Sequence, residues 1–244
     1  MKKVFAFMAI AATILAVSCK KNDPKPGPGP DPEDPEDPEY VMPITIDGDF
    51  SDWAKLDASK MVVAQSAEGA TKEALKVVKV YADEFFVFVY FEWDKDQISY
   101  EPDVEHVPFH VYINGDNDFT TGGYADQWAD AAFDIMLEGS IYPTGESVGA
   151  YEPSVFRWSG EPNASGWTWE DVGEIAGITS GAGIEGKYEF YINRSLYPGT
   201  FADQFTIGFD IQQSWNSVGI LPNAASSEED PSGLAPSLVI NTNK

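Results

Sequence analysis

The sequence holds one cysteine, two histidines and only 15 lysines and arginines against 40 aspartates and glutamates. A lone cysteine, Cys19, cannot form an internal disulfide. A formal charge of −25 argues against nucleic acid or an anionic membrane surface as partner, and admits cations or neutral ligands such as sugars. The two histidines, His106 and His110, alternate on one stretch and read as rim polar residues. A zinc site would need further soft ligands, and no Met/His pair stands out for haem. There is no nucleophile–base signature, and with so many acids no glycosidase pair is distinguished, so the chain reads as non-catalytic. No window of useful length has helical periodicity, and no apolar run is long enough to span a bilayer comfortably.

What is present begins with a targeting segment. Lys2 and Lys3 precede an apolar run from Val4 to Val17, a signal-peptide pattern. Leu15-Ala-Val-Ser-Cys19 resembles the lipobox of a bacterial lipoprotein, with the leucine four residues before the cysteine rather than three. The resemblance implies cleavage after residue 18 and acylation of Cys19, hence an outer-membrane lipoprotein exposed at the cell surface or on the periplasmic face. Residues 19–40 alternate proline with glycine and then with acids. Proline at this density forbids helix and ladder and favours an extended spacer, and the clustered carboxylates keep it open. Twenty such residues at ~3.1 Å each reach ~60 Å, so this is a disordered stalk.

Residues 41–244 suit one β-rich domain. Short apolar alternations separated by Gly, Pro and Asx turns predict about eleven strands. Those expected are 44–46, 60–64, 74–82, 85–93, 107–113, 130–138, 154–158, 167–170, 187–193, 204–212 and 237–241. The predicted class is all-β, a single antiparallel β-sandwich of jelly-roll type. Phe85 to Trp93 is apolar on both faces, as befits a strand covered on both sides.

Between the strands at 107–113 and 130–138 lies Asn114-Gly-Asp116-Asn-Asp118-Phe-Thr-Thr-Gly-Gly-Tyr124. Oxygen ligands at alternate positions suit a hard cation such as Ca2+, with Asn114, Asp116, Asp118 and Asp130 as candidate ligands and Asp94 from a neighbouring loop. The spacing is not that of an EF-hand, since Phe119 and Ala125 occupy the positions of its glycine and terminal glutamate. The alternative is an Asx-rich turn whose carboxylates bond local N–H groups.

Ile46-Asp-Gly-Asp-Phe-Ser-Asp-Trp53 resembles the opening signature of family 9 carbohydrate-binding modules and their DOMON-like relatives. Val78 to Asp94, the acidic loop, Asp130 to Phe133, Tyr188 to Asn193 and Ile207 to Gln213 continue the likeness in order. It implies a β-sandwich with structural calcium that binds an oligosaccharide or polysaccharide, often between two tryptophans. This chain departs from that pattern. It has Tyr100 to Val104 where one tryptophan is usual, Ala225 to Asp230 where the other is, and His110 and Asn114 where acids are usual. Gln212 matches a polar residue that relatives use on sugar.

Of the seven tryptophans, Trp53 and Trp93 read as core. Trp167 and Trp169 share a face of one hairpin and are either core or a sugar platform. Trp128 and Trp215 sit among polar loop residues, where an exposed ring has least structural reason. The candidate ligand set is therefore Trp215, Gln212, Trp128, Tyr100 and His110. The expected function is a lipid-anchored glycan-binding protein working beside other surface glycan-uptake proteins. The rival is a docking subunit of a surface complex that keeps the fold without the sugar clamp.

Overall fold

A computed structural model describes residues 40–98, 107–130, 132–141, 153–184 and 186–242. The compact unit is Met42–Lys244, a two-sheet antiparallel β-sandwich of twelve strands among the described residues. They are β1 (Met61–Gln65), β2 (Leu75–Ala82), β3 (Phe86–Trp93), β4 (Val107–Asn114), β5 (Ile135–Ile141) and β6 (Ser154–Trp158), then β7 (Trp169–Asp171), β8 (Thr179–Ile184), β9 (Lys187–Asn193), β10 (Gln204–Gln213), β11 (Asn216–Leu221) and β12 (Leu238–Asn241). Short 3-10 turns at Phe50–Ala54, Ala58–Lys60 and Lys95–Gln97 are the only helical pieces among the described residues.

Sheet A runs β1-β2-β3-β9-β8. Sheet B runs β11-β10-β4-β5-β6-β7, with β12 pairing the first half of β10. A bridge from Glu73 to Gly219 ties the β2 edge to β11, joining the sheets along one side.

The inner faces follow from period-two alternation. Val87, Val89, Phe91 and Trp93 of β3 meet Phe109, Val111 and Ile113 of β4 and Phe205, Ile207, Phe209 and Ile211 of β10 in one core. Phe109 packs against Phe91 and Tyr188 at ring separations of 5.3 Å each. Trp53 and Trp93 are both buried. The Phe133 side chain does not share the core face with Ile135 and Leu137 as alternation predicts. It joins Tyr112, Trp128 and Met136 on the outer face of sheet B, because the chain bends before β5 begins.

The stretch Ile44 to Ile46 is not a strand. It lies over the outer face of sheet A, where Ile44 and Trp53 bury Phe88 and Tyr90, which explains the second apolar face of β3. Glu189, fully buried on β9, accepts from Trp53 Nε1 at 2.9 Å, Gly48 N at 3.0 Å and Asp47 N at 3.2 Å. The Ile-Asp-Gly…Asp-Trp signature is thus a latch. Gly48, at φ +82°, turns two backbone donors onto one carboxylate, and Asp52 holds the entry by accepting from Thr45 N at 3.1 Å.

Candidate functional site

The outer face of sheet B carries a row of polar side chains. With Phe109, Val111 and Ile113 turned to the core, His110, Tyr112 and Asn114 point outward from β4. On β10 the outward set is Thr206, Gly208, Asp210 and Gln212. Strand register lines up Asp210, His110, Glu138 and Ser154 across four strands.

His110, 2% exposed, is the centre of this row rather than a rim residue. Its Nε2 lies 2.9 Å from Glu138 Oε2. Its Nδ1 lies 3.1 Å from Gln212 Nε2 and 3.3 Å from the Tyr112 hydroxyl. With Gln212 Nε2 and the Tyr112 hydroxyl both able to donate to Nδ1, the proton sits on Nε2 and is given to Glu138. Asp210 is equally buried. Its Oδ2 accepts from Gln212 Nε2 at 2.8 Å, Ser217 Oγ at 2.9 Å and Gln127 Nε2 at 3.2 Å, while Oδ1 has no partner. Burial raises its carboxyl above the ordinary range, against the pull of the Gln212 and Ser217 donors. Burial, with the charges of Asp210, Glu138 and Asp126, likewise raises the Tyr112 phenol. The face is electrically negative.

Over this row stands Trp167, 60% exposed, its ring 6.0 Å from His110 and 6.1 Å from Phe156. Trp169 lies on the same face but is half-buried against Trp158 and Tyr112. Trp215 is 70% exposed at the tip of the β10–β11 hairpin, where Ser214 and Trp215 both take positive φ, 49° and 64°. Trp128 does not present its ring to solvent: it is 1% exposed. Gly208 has no side chain, and the ring fills that gap so closely that a Cβ there would meet Trp128 Cε2 at 2.5 Å. Its neighbours Asp126 and Ala129 are exposed, so the polar sequence around it marks the loop and not the ring. Trp128 and Gln127 belong to the excursion from 115 to 134, which is pinned over the sheet by Ala129 N to Ala235 O at 3.1 Å. At its margin a cavity of about 50 Å³ opens between Lys72, Gln127, Asn223 and Gly233. Tyr100, His106 and Cys19 lie outside the described residues.

The acidic loop lies at the far end of β4. Asp134 Oδ2 accepts from Gly115 N at 2.9 Å and Asp116 N at 3.4 Å. The Thr121 hydroxyl sits 3.1 Å from Asp116 Oδ2 and 3.4 Å from Asp134 Oδ1. Burial and the charge of Asp116 push Asp134 up from 3.8 to about 6. Asn114, fully buried beside Thr206, leaves both amide atoms unpartnered.

The other proposed ligands are engaged elsewhere. Asp118 caps Thr120 at 2.8 Å, which lowers its pKa. Asp130 holds Ser237 N at 2.7 Å and its hydroxyl at 3.0 Å. Asp94 caps Asp96 and is bonded through Ala74 to Val218, at the opposite end of the sandwich. Among the described residues no group of three or more His, Cys, Asp or Glu gathers as a metal site. The residue that sequence reasoning passed over is Asp134. A strand over 130–138 would turn Asp134 away from Ile135, and the bend before β5 instead brings its carboxylate to the Asp116 N–H. Asp210 and Gln127 were passed over too, because nothing in their local sequence separates them from other surface polars.

No protein-family model matches the sequence, and a search of curated proteins returns no relative.

Proposed function

We propose that the outer face of sheet B binds an oligosaccharide without catalysis. The observation that carries this reading is the solvent-facing Trp167 ring above a hydrogen-bonded floor of buried His110, Asp210 and Gln212 with the half-buried Glu138 beside them. Sugars offer flat C–H faces to a ring and hydroxyls to fixed carboxylate and amide groups, and a tryptophan left 60% exposed over such a floor gains little from packing. The likeness to family 9 carbohydrate-binding modules supports the same conclusion. Trp215 would extend the platform from the hairpin tip. Trp128 contributes by holding the 115–134 excursion in place.

Calcium is a second part of the proposal, on a smaller ligand set than the sequence suggested. Asp116 and Asp134 with the Thr121 hydroxyl would hold the ion, and Asn114, its amide unpartnered among the described residues, directly precedes the loop. A divalent cation would offset the burial and the Asp116 charge that together raise Asp134 to about 6 and would supply fixed positive charge to the loop. Anchoring through an acylated Cys19 at the outer membrane completes it.

The test is calorimetry of the mature chain against neutral, acidic and amino-sugar oligosaccharides. One exposed ring with a small polar floor should give binding on the order of 0.1–1 mM, or about −4 to −5.5 kcal/mol. Trp167→Ala should abolish it and change stability by no more than about 0.5 kcal/mol. Absence of binding to every class would transfer the case to a docking subunit.

A further inference from the structure

We propose that the sugar recognised on this face carries a protonated amine, as in a glucosamine oligosaccharide, with its ammonium group between the Glu138 carboxylate and the Trp167 ring. This rests on the glycan-binding reading and adds the charge of the ligand. Glu138 has 31% of its side chain exposed. Its Oε2 is taken by His110, and its Oε1 meets no donor among the described residues. Two strands away in register stands Asp210, whose Oδ1 is buried without a partner. Asp126, exposed on the excursion above, adds to the field that raises Tyr112.

Among the described residues the cations stand at the margins. Lys72 lines the cavity on the far side of Gln127, and Arg157 is held by Glu170 through Nε at 3.0 Å and Nη2 at 2.8 Å. An anionic sugar such as a uronate would therefore bring its charge against two carboxylates. An ammonium group meets a carboxylate with one oxygen unpaired among the described residues and the negative face of an indole, which attract it together. The aromatic ring and the charged floor thus select for the same chemical group.

The experiment is calorimetry of the mature chain with four tetramers: glucosamine, N-acetylglucosamine, cellotetraose and galacturonic acid. N-acetylation keeps the ring and removes the charge. The glucosamine tetramer should bind about tenfold tighter than the N-acetylated one, and the galacturonate should not bind. Glu138→Gln should bring the glucosamine and N-acetylglucosamine affinities together, and raised salt should narrow the gap. Equal binding of the three non-acidic tetramers overturns this inference and leaves the glycan reading in place. No binding of any tetramer overturns both. A glucosamine preference that survives in both Trp167→Ala and Glu138→Gln would be general attraction to an acidic protein, and that also overturns it.

Discussion

Two residues at one hairpin tip separate stability from function. Ser214 and Trp215 occupy a two-residue turn in which both positions need positive φ, a conformation that favours Asn-Gly and strains a bulky side chain. An indole held there with 70% exposure gains little from packing. Replacing Trp215 by glycine should raise stability by about 1 kcal/mol, read as a higher denaturant midpoint, while weakening sugar binding. A lower midpoint would mean that the ring packs in the folded state after all. Glu189 gives the opposite case. Its pKa is raised by burial and held back by the Trp53, Gly48 and Asp47 donors. A carboxyl with a raised folded pKa contributes most at low pH and loses that contribution as pH rises through the folded value. Trp53→Phe removes a donor to the charged form and should cost about 1–3 kcal/mol at neutral pH. Below the ordinary glutamate value of 4.5, where the group is neutral, the cost should shrink. Equal cost at both pH values would show that Trp53 acts through packing alone.

Elements with strong alternation were legible. The strands at 75–82, 187–193 and 204–213 show apolar residues at every second position, those at 61–65 and 86–93 read as short apolar runs, and Gly, Pro and Asx mark their ends. β8 was not legible: Thr179-Ser-Gly-Ala-Gly-Ile184 is poor in β-branched and aromatic residues. Its Gly183 serves the neighbour, since a Cβ there would meet Tyr188 Cδ2 at 2.7 Å. Ile44 to Ile46 misled for the converse reason, being an apolar cover without a ladder.

The acidic loop was legible as oxygen-rich, but its pairing depends on tertiary geometry. Asp134 comes from beyond the loop, and Asp118 and Asp130 are spent on caps. At this element the pH dependence has a definite sign. Asp134, raised from 3.8 to about 6, adds stability below its ordinary value, and that contribution is lost as pH climbs toward 6. Without added metal the melting temperature should fall over that interval. At neutral pH, calcium at a hundredfold excess over its dissociation constant would contribute ~2.7 kcal/mol, roughly 5–10 °C for a domain of this size. Asp116→Ala should remove the calcium response. Superimposable melting curves with calcium and with chelator would reduce the loop to an Asx-rich turn.

At the scale of the whole molecule, entry and site lie on opposite faces. The chain joins the compact unit through the latch on the outer face of sheet A, and the polar row with Trp167 occupies the outer face of sheet B. The lipobox-like run ending at Cys19 supplies the proposed tether, and the acidic, proline-rich residues 19–40 the proposed spacer. The two functions are then separable. Cys19→Ala should move the protein out of the membrane fraction into the soluble periplasm and abolish incorporation of labelled fatty acid. The described core is built from residues between Ile44 and Ile240, so the melting curve and sugar affinity of the released protein should match those of the mature chain freed in detergent. Unchanged membrane fractionation of the variant would exclude Cys19 as the anchor. Loss of sugar affinity along with the anchor would show that the stalk itself takes part in binding.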